Sequence, residues 1–336
     1  MSSPTRKIGG AKVNPIGFGA MGISVFYGAV GSDEERFKVL DAVYESGCNH
    51  WDTADLYGDS EELIGKWLKR TGKRSDIFLA TKFAVTPNGI RGDAPYVKEA
   101  FERSLKKLGV DYVDLYYYHR TDIKVPIEET VGAMAELVKE GKVKYLGLSE
   151  CSPNSLRRAH AVHPIAAVQV EFSPLVLDIE SSEYDLLKTA RELGVTVVAY
   201  SPLARGIITG QIKSTDELEE DDFRRSIPKY SKENFPKILD IVNQLTEIGK
   251  KHNATPGQVT LAWILAQGDD FLVIPGTKKI KYVKENMGAA NVKLSPEEVA
   301  RIRKIAEDAD KAIPDKRYMQ FAMDMLNVET PLPQKS

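Results

Sequence analysis

Residues 77–119 read IFLATKFAVTPNGIRGDAPYVKEAFERSLKKLGVDYVDLYYYH, and the fold can be predicted outward from this stretch. Its two ends, at 77–83 and 113–119, are short and mostly apolar or aromatic, which is typical of buried strands. Between them, residues 94–109 carry apolar side chains at intervals of three and four and end at Gly109, as an amphipathic helix does. A strand, a helix and a second strand indicate a parallel βαβ unit.

The same alternation extends through the rest of the chain. Six more strand candidates share the short, β-branched or apolar composition, and they lie at 16–20, 50–54, 143–149, 166–172, 196–202 and 272–276. The helical stretches between them end at glycines such as Gly47, Gly141 and Gly194, which are typical of helix C-termini. Eight strands alternating with helices predict an α/β fold, a (β/α)8 TIM barrel.

Two further segments depart from this alternation. The sequence RKIGGAKVNP at 6–15 predicts an N-terminal β-hairpin that turns at Gly9 and Gly10 and caps the bottom of the barrel. The stretch at 203–254, after strand seven, is too long for a simple connection. It predicts a long loop and helix insertion over the opening of the barrel.

Composition narrows the class of protein. Apolar residues make up 42% and charged residues 28% of the 336 residues, and the net charge of −2 argues against nucleic-acid and membrane-surface partners. The start of the chain lacks a signal-peptide pattern, and we expect a cytoplasmic monomer or weak homo-oligomer with no membrane segment. Cys48 and Cys151 have no spacing typical of a metal site, and we expect no metal. No linker divides the chain, which predicts one domain over 1–336, with a core at about 5–310 and a tail at 311–336.

One motif points to a different fold. Residues 17–22, GFGAMG, match the dinucleotide-binding pattern G-x-G-x-x-G of a doubly wound sheet. The residues that follow lack a helical pattern, and Asp41, at about the right offset for a ribose-binding acid, falls within a predicted helix. The sequence therefore favours a glycine-rich turn at the opening of a barrel.

Four polar residues stand at or just beyond the ends of consecutive predicted strands. Asp52 and Tyr57 follow strand two, Lys82 lies near the end of strand three, and His119 closes strand four. In α/β barrels, chemistry is located at the carboxyl ends of the strands. A lysine and a histidine in otherwise apolar strands are costly to bury, which favours a functional role over a packing role.

The chain resembles the aldo-keto reductase family through motifs that occur in order from about residue 5 to residue 310. These motifs are FGAMG, WDTADLYG, LATKF, YYYHR, YLGLSE, VQVEFSP, AYSPLARG and IPGTKK. Through HPIAAVQVEFSPL and LAQGDDFLVIPGTKK it is most similar to the fungal, yakc-like branch of NADP-dependent reductases. The resemblance implies reduction of aldehydes and ketones to alcohols, reversibly, by hydride from NADPH. It also implies that Asp52, Tyr57, Lys82 and His119 form the catalytic tetrad.

The chemistry of this tetrad is coherent on physical grounds. Hydride transfer to a carbonyl carbon leaves negative charge on the oxygen, which needs a proton, and Tyr57 would be the general acid. The ammonium of Lys82 would stabilise the phenolate that remains, and Asp52 would offset the cost of burying that ammonium. His119 would donate a hydrogen bond that orients and polarises the substrate.

The resemblance also implies where NADPH lies. It places the nicotinamide amide against Ser149 and Gln169, one nicotinamide face on Tyr200, and the phosphates near the residues after strands seven and eight. The full set of cofactor residues that it implies is Gly19, Ala20, Met21, Asp52, Ser149, Gln169, Tyr200, Ser201, Pro202, Leu203, Arg205, Gly206, Gly276, Thr277, Lys278, Lys281, Glu285 and Asn286. Lys278, Lys279 and Lys281 form the positive cluster expected for the 2′-phosphate.

The chain departs from other branches of the family at two positions. Tyr282 replaces an arginine on the adenosine phosphate, and Glu150 replaces an asparagine on the nicotinamide amide. These departures leave both contacts open. A competing hypothesis is a regulatory subunit resembling the potassium-channel β subunits, which keep the barrel and cofactor but act through a partner. Apolar walls for a small carbonyl substrate are expected from Phe26, Tyr27, Phe83 and Tyr230.

Overall fold

A computed structural model of the chain describes residues 5–334. Its strands are β1 (Arg6–Ile8), β2 (Ala11–Val13), β3 (Phe18–Gly19), β4 (His50–Asp52), β5 (Phe78–Phe83), β6 (Val85–Thr86), β7 (Gly89–Ile90), β8 (Val113–Tyr118), β9 (Val143–Ser149), β10 (Ile165–Glu171), β11 (Thr196–Tyr200) and β12 (Phe271–Val273). Its α-helices are α1 (Asp33–Glu45), α2 (Ser60–Thr71), α3 (Ala94–Leu108), α4 (Ile127–Lys139), α5 (Pro153–Val162), α6 (Leu186–Glu192), α7 (Phe235–Lys250), α8 (Pro256–Leu265), α9 (Ile280–Gly288), α10 (Pro296–Ala312) and α11 (Gln320–Met323).

Eight of the strands form one parallel sheet in the order β12-β11-β10-β9-β8-β5-β4-β3. The sheet closes where β3 meets β12: Gly17 N donates to Val273 O at 2.8 Å, and Val273 N donates to Pro15 O at 2.9 Å. Gly19 stands at this seam, where an added Cβ would lie 2.6 Å from the carbonyl oxygen of Ile274. The predicted (β/α)8 barrel is therefore confirmed, and Gly17 and Gly19 of GFGAMG lie at its closure.

The eight predicted strands all exist, but four of them are two or three residues shorter than predicted, and the strands predicted at 77–83 and 113–119 are each one residue shorter. The predictions at 16–20, 50–54, 196–202 and 272–276 reduce to two to five residues each. Strand β11 stops at Tyr200 because the next residue, Ser201, has a left-handed φ of 47°, which extended backbone does not allow. The helices end as expected, and Gly109 closes α3 with a left-handed φ of 62°.

The N-terminal hairpin of β1 and β2 closes one end of the barrel, as predicted. Ile8 and Val13 are fully buried in the cluster that fills the barrel interior, together with Phe78 and Leu115. Arg6 from the same hairpin donates through Nη2 to the carbonyl of Leu265 at 2.6 Å and through Nη1 to that of Phe271. The opposite end, where the barrel strands reach their carboxyl termini, is called the barrel mouth below.

The predicted insertion after β11 consists of short 3-10 turns between residues 204 and 230, followed by α7. The helix before the tail, α10, runs to Ala312, two residues past the predicted boundary. The tail then passes over the barrel mouth, where Val328 pairs with Cys151 at the end of β9. No helix in residues 5–334 is both long and apolar enough to cross a membrane.

Candidate functional site

The four predicted catalytic residues meet at the barrel mouth. Asp52 ends β4, Tyr57 lies in the turn that follows, Lys82 lies one residue from the end of β5, and His119 follows β8 directly. Strands β4, β5 and β8 are neighbours in the sheet, so their carboxyl ends bring these side chains together. The side chains of Asp52 and Lys82 are at most 2% exposed.

Lys82 is the centre of the cluster. Its ammonium donates hydrogen bonds to the Asp52 carboxylate, to the Thr53 carbonyl at 2.8 Å and to the Tyr57 hydroxyl at 3.4 Å. Burial alone would lower the pKa of Lys82, but the Asp52 carboxylate and the Tyr57 hydroxyl outweigh it and hold this pKa above its usual value. The lysine is therefore a positive charge held 3.4 Å from the Tyr57 oxygen.

Both oxygens of Asp52 have partners. Oδ1 accepts from Lys82, and Oδ2 accepts from Gln169 Nε2 at 2.8 Å. Gln169 comes from β10, three strands away from β5 in the sheet. The glutamine thus holds Asp52 from across the barrel, and its carbonyl oxygen remains for another partner.

His119 packs beside Tyr57, with ring centroids 5.8 Å apart and the planes at 85°. Burial lowers the pKa of His119 well below its usual value, and the charges of Arg120 and Lys82 add to this effect, so the imidazole is neutral at pH 7. Nδ1 is buried without a hydrogen-bond partner among residues 5–334, whereas Nε2 is not sealed. A neutral ring with its single N–H on Nε2 can donate a hydrogen bond at the mouth.

The residues predicted to contact the nicotinamide line the same mouth. Ser149 ends β9, and its hydroxyl accepts from Arg120 Nη1 at 3.1 Å. Tyr200 ends β11, and its hydroxyl lies 3.1 Å from that of Tyr318 in the tail. Ser149, Gln169 and Tyr200 thus lie at or near the carboxyl ends of three neighbouring strands, β9, β10 and β11.

The predicted phosphate residues lie after β12. Helix α9 begins at Ile280 without a side-chain cap, so no capping side chain accepts from its first N–H groups. Lys281 is exposed, and its ammonium lies 5.6 Å from the centre of the Tyr282 ring. Lys278 donates instead to the carbonyls of Tyr27, Gly28 at 3.3 Å and Ala29 at 3.0 Å. Its ammonium therefore ties the loop after β12 to the loop after β3.

The remaining predicted cofactor residues surround this region. Glu285 accepts from the Thr255 hydroxyl at 2.7 Å, and Asn286 is buried on α9. Gly276 faces the seam, where an added Cβ would lie 2.5 Å from the Gly19 carbonyl oxygen. Others, namely Ala20, Met21, Ser201, Pro202, Leu203, Gly206 and Thr277, lie in the segments that follow β3, β11 and β12.

Comparison with known proteins shows the family of the chain. The family model described as the aldo/keto reductase family matches residues 15–307. The chain belongs to this family. Aldo-keto reductases are oxidoreductases that act on carbonyl and alcohol groups, and the barrel with its polar mouth is the fold they share.

Relatives support the membership along the whole chain. An aldo-keto reductase of Strobilurus tenacellus is 67% identical over 340 residues, covering 99% of this chain and 100% of the relative. The NADP(+) aldo-keto reductase yakc of Schizosaccharomyces pombe is 48% identical, covering 98% of this chain and 99% of the relative. Among solved structures, the glycerol dehydrogenase of Gluconobacter oxydans superposes with a TM-score of 0.83 at 27% identity, covering 94% of this chain and 98% of that chain. The predicted resemblance to fungal members is confirmed.

The structure accounts for one of the two departures from other aldo-keto reductases. Glu150 is bound on both oxygens by Arg317 from the tail, at 2.8 and 2.7 Å. Burial would raise the pKa of Glu150, but Arg317 outweighs it and lowers this pKa to about 2. Arg317 also approaches Glu171, which in turn holds Arg205 at 2.9 Å. Glu150 is thus a buried anion that is ion-paired with the tail through Arg317.

Sequence reasoning missed Arg317, Tyr318 and Arg120. The first two stand in a Pro-rich tail without periodicity, and the only hint was the unexpected charge of Glu150. Arg120 lies within the quoted motif YYYHR, but nothing in its spacing marks its side chain as facing the mouth. All three contact the strand ends through pairs far apart in the sequence.

One of the expected substrate walls is wrong. Phe83 is fully buried and stacks on Tyr116 and Tyr118, with ring centroids 4.9 and 5.3 Å away. Successive residues of a strand point to opposite sides, so Phe83 faces the helices because its neighbour Lys82 faces the barrel. Phe26, by contrast, is 44% exposed on the loop after β3.

Proposed function

We propose that this protein is an NADPH-dependent reductase of aldehydes and ketones in which Tyr57 is the general acid. The observation that carries the proposal is the Tyr57 hydroxyl 3.4 Å from a buried ammonium, which Asp52 holds in place. An ammonium at this position stabilises the phenolate left after proton donation. A small carbonyl compound is the substrate. In the reverse reaction the corresponding alcohol would give its hydride to NADP+ and its proton to the Tyr57 phenolate.

The residues of the chain divide the remaining work. NADPH supplies the hydride when it is bound. Tyr57 delivers the proton to the substrate oxygen, and the neutral His119 donates a hydrogen bond to the same oxygen through Nε2. The donors are positioned before the reaction, so little reorganisation is needed when charge develops on the oxygen. Asp52 keeps Lys82 charged and in place throughout.

The donor set at the mouth fits NADPH. Ser149 and Gln169 offer hydrogen-bonding groups to a carboxamide, and Tyr200 offers a ring to a nicotinamide face. The uncapped start of α9 suits a phosphate, because its N–H groups and helix dipole favour negative charge. Lys281 adds an exposed positive charge for the 2′-phosphate. A cytoplasmic location and a monomer or weak homo-oligomer remain part of this proposal.

The test is the substitution Tyr57→Phe, which removes the proton donor and spares most of the packing. With 4-nitrobenzaldehyde and NADPH, kcat should fall by roughly 10²–10⁴, the range expected for general acid catalysis. The dissociation constant for NADPH should change little. The measurement is the decrease of NADPH absorbance under saturating cofactor.

Tyr44→Phe is the matched control, because its hydroxyl binds Asp76 on the outer, exposed side of the barrel. Its kcat should stay within about threefold of the parent protein. A Tyr57→Phe protein that retains its kcat would rule out Tyr57 as the acid. A parent protein that binds NADPH but reduces no carbonyl compound would favour the regulatory-subunit hypothesis instead.

A further inference from the structure

The side chain of Arg120 lies at the barrel mouth, directly after the predicted catalytic histidine. Its Nη1 donates to the carbonyl of His119 at 2.6 Å and to the hydroxyl of Ser149 at 3.1 Å. These contacts place the guanidinium between β8 and β9, beside the tetrad. Arg120 is only partly exposed, so its charge is largely withdrawn from water.

Arg120 differs from the other two arginines at the mouth in having no carboxylate partner. Arg205 is paired with Glu171, and Arg317 is paired with Glu150, Glu171 and Asp178. Among residues 5–334, no carboxylate oxygen lies within the 4.0 Å that defines an ion pair with Arg120. Burial lowers the pKa of Arg120, but the charges of Tyr200 and Glu150 outweigh it and raise this pKa. Glu150 nevertheless makes no hydrogen bond with Arg120, and its oxygens accept from Arg317 and from the Glu171 amide.

An arginine in this situation has no anion in direct contact. Removing a guanidinium from water without an opposite charge carries a large desolvation penalty, and carbonyl and hydroxyl acceptors compensate only part of it. Nε and Nη2 of Arg120 have no partner in the described part of the chain, and neither atom is sealed from solvent. These two parallel N–H groups form the planar fork that matches a carboxylate in bidentate geometry.

Three large apolar side chains are exposed on loops that follow the barrel strands. Phe26, Leu56 and Ile123 are 44%, 39% and 63% exposed and lie in the loops after β3, β4 and β8. Loops after barrel strands surround the mouth, so a substrate that reaches Arg120 passes these side chains. The mouth therefore suits a molecule with an apolar body and one anionic group near its reacting carbonyl.

We propose that Arg120 binds a carboxylate of the substrate, and that the preferred substrates are aldehydes or ketones that carry a carboxylate close to the carbonyl. This inference rests on the proposed carbonyl reductase activity and adds a specificity residue to it. Binding the carboxylate on Arg120 would hold the carbonyl beside Tyr57 and His119, since the Arg120 guanidinium donates to the His119 carbonyl and the Ser149 hydroxyl.

The experiment compares carboxybenzaldehydes with their methyl esters, which are similar in shape but neutral. The ortho, meta and para isomers of each are assayed with NADPH, because they differ in the distance between the aldehyde carbonyl and the carboxylate. For the best isomer, the ratio of kcat/KM for the acid to kcat/KM for the ester should exceed about ten in the parent protein. In Arg120→Gln this ratio should fall by roughly tenfold to a hundredfold, as expected for one charge-assisted hydrogen-bonded pair.

Two variants separate this role from a structural one. Arg120→Lys keeps the positive charge and should retain part of the ratio, whereas Lys124→Gln removes an exposed charge from the same loop and should leave the ratio within about twofold. If Arg120→Gln lowers kcat/KM equally for acids and esters, Arg120 only positions His119 and Ser149, and the proposal is overturned. A parent protein that prefers the esters, or shows no preference, overturns it as well.

A binding measurement keeps this test independent of turnover. Calorimetric titration of the NADP-loaded parent protein should show binding of benzoate but not of benzamide, and Arg120→Gln should abolish the benzoate signal. If no aldehyde is reduced but benzoate binds through Arg120, the proposed function fails while the anion site stands. If aldehydes are reduced but benzoate does not bind, the anion site fails and the proposed function stands.

Discussion

At the scale of single residues, the site depends on a buried lysine and a buried aspartate, each of which compensates the charge of the other. Lys82 is fully buried, and Asp52 accepts from it on one oxygen and from Gln169 on the other. Either charge alone in this environment would be strongly unfavourable. The pair therefore links the stability of the barrel mouth to the proposed role of Tyr57 as general acid.

Lys82→Met tests this link, because it keeps the apolar stem and removes the charge. The free energy of unfolding should fall by about 3–5 kcal/mol, the cost of leaving one member of a buried pair without its partner. The reductive rate should fall by orders of magnitude, since the phenolate of Tyr57 loses its stabilising charge. Urea denaturation and steady-state kinetics on the same proteins provide both measurements.

The double variant Asp52→Asn with Lys82→Met serves as the control for this prediction. It should recover much of the lost stability without recovering activity, because the stranded charge is gone but Tyr57 still lacks its ammonium. If the two single losses of stability simply add in the double variant, the two side chains are not coupled. That result would contradict the ion pair.

At the scale of elements, the tail is held to the barrel mouth by buried charge as well as by packing. Arg317 is 3% exposed and binds Glu150 at the end of β9, while Val328 pairs with Cys151 and Arg158 donates to the Thr330 carbonyl at 2.8 Å. The tail therefore covers the strand ends where Glu150 departs from the family pattern. The same arginine approaches Glu171, which links the tail to Arg205 in the insertion after β11.

Acid should release this tail. The folded-state pKa of Glu150 is about 2, below its ordinary value of 4.5, so the stability from its ion pair is present above pH 4.5 and is lost as the pH falls towards 2. Arg317→Met should lower the free energy of unfolding at pH 7 by about 3–5 kcal/mol and should weaken the part of the acid dependence that lies between these two values. Urea denaturation at several pH values between 3 and 7 gives both results.

The control for the tail is Arg301→Met, which removes an exposed arginine from α10. Its free energy of unfolding should stay within about 0.5 kcal/mol of the parent value. An Arg317→Met protein as stable as this control at pH 7 would show that the buried pair does not hold the tail.

At the scale of the whole molecule, the mouth is assembled from segments that span the chain. Lys278 ties the loop after β12 to the loop after β3, more than two hundred residues earlier, and the tail arrives last at Glu150. A ligand seated among these segments binds the folded chain and not the unfolded one. Cofactor binding should therefore raise the stability of the entire barrel.

NADPH at about a hundred times its dissociation constant should add about 2.7 kcal/mol to the free energy of unfolding. NADH at the same concentration should add less, because Lys281 has no 2′-phosphate to bind. The difference between the stabilisation by NADPH and that by NADH is called the cofactor gap. Lys281→Glu should reduce the cofactor gap by roughly 1.5–3 kcal/mol, the range for a charge-assisted hydrogen bond. Thermal unfolding at matched cofactor concentrations measures the cofactor gap.

Two further variants define the outcome of this experiment. Lys293→Glu, beside the N-terminal hairpin at the opposite end of the barrel, should leave the cofactor gap unchanged. Lys278→Glu should weaken the binding of both cofactors, since the Lys278 ammonium joins two loops of the mouth. If Lys281→Glu reduces the stabilisation by NADPH and by NADH equally, Lys281 does not bind the 2′-phosphate.

The sequence alone was enough to predict the barrel and the meeting of the tetrad. Strand and helix periodicity is local, so the strands around LATKF and DLYYY could be placed to within a few residues. Parallel strands bring their carboxyl ends to one edge, so Asp52, Lys82 and His119 had to meet once the fold was known. Strict alternation along β5 would also have shown that Phe83 faces away from Lys82.

Only the tertiary structure decided which charges pair across the mouth. Arg317 and Glu150 are 167 residues apart, and no local pattern connects a residue of an irregular tail to one strand end among eight. Among residues 5–334, Arg120 is left without a carboxylate in direct contact, and this result depends on where the other charges of the mouth lie. Which charges form buried ion pairs depends on their distance and desolvation in the folded structure, and the periodicity of the sequence predicts neither quantity.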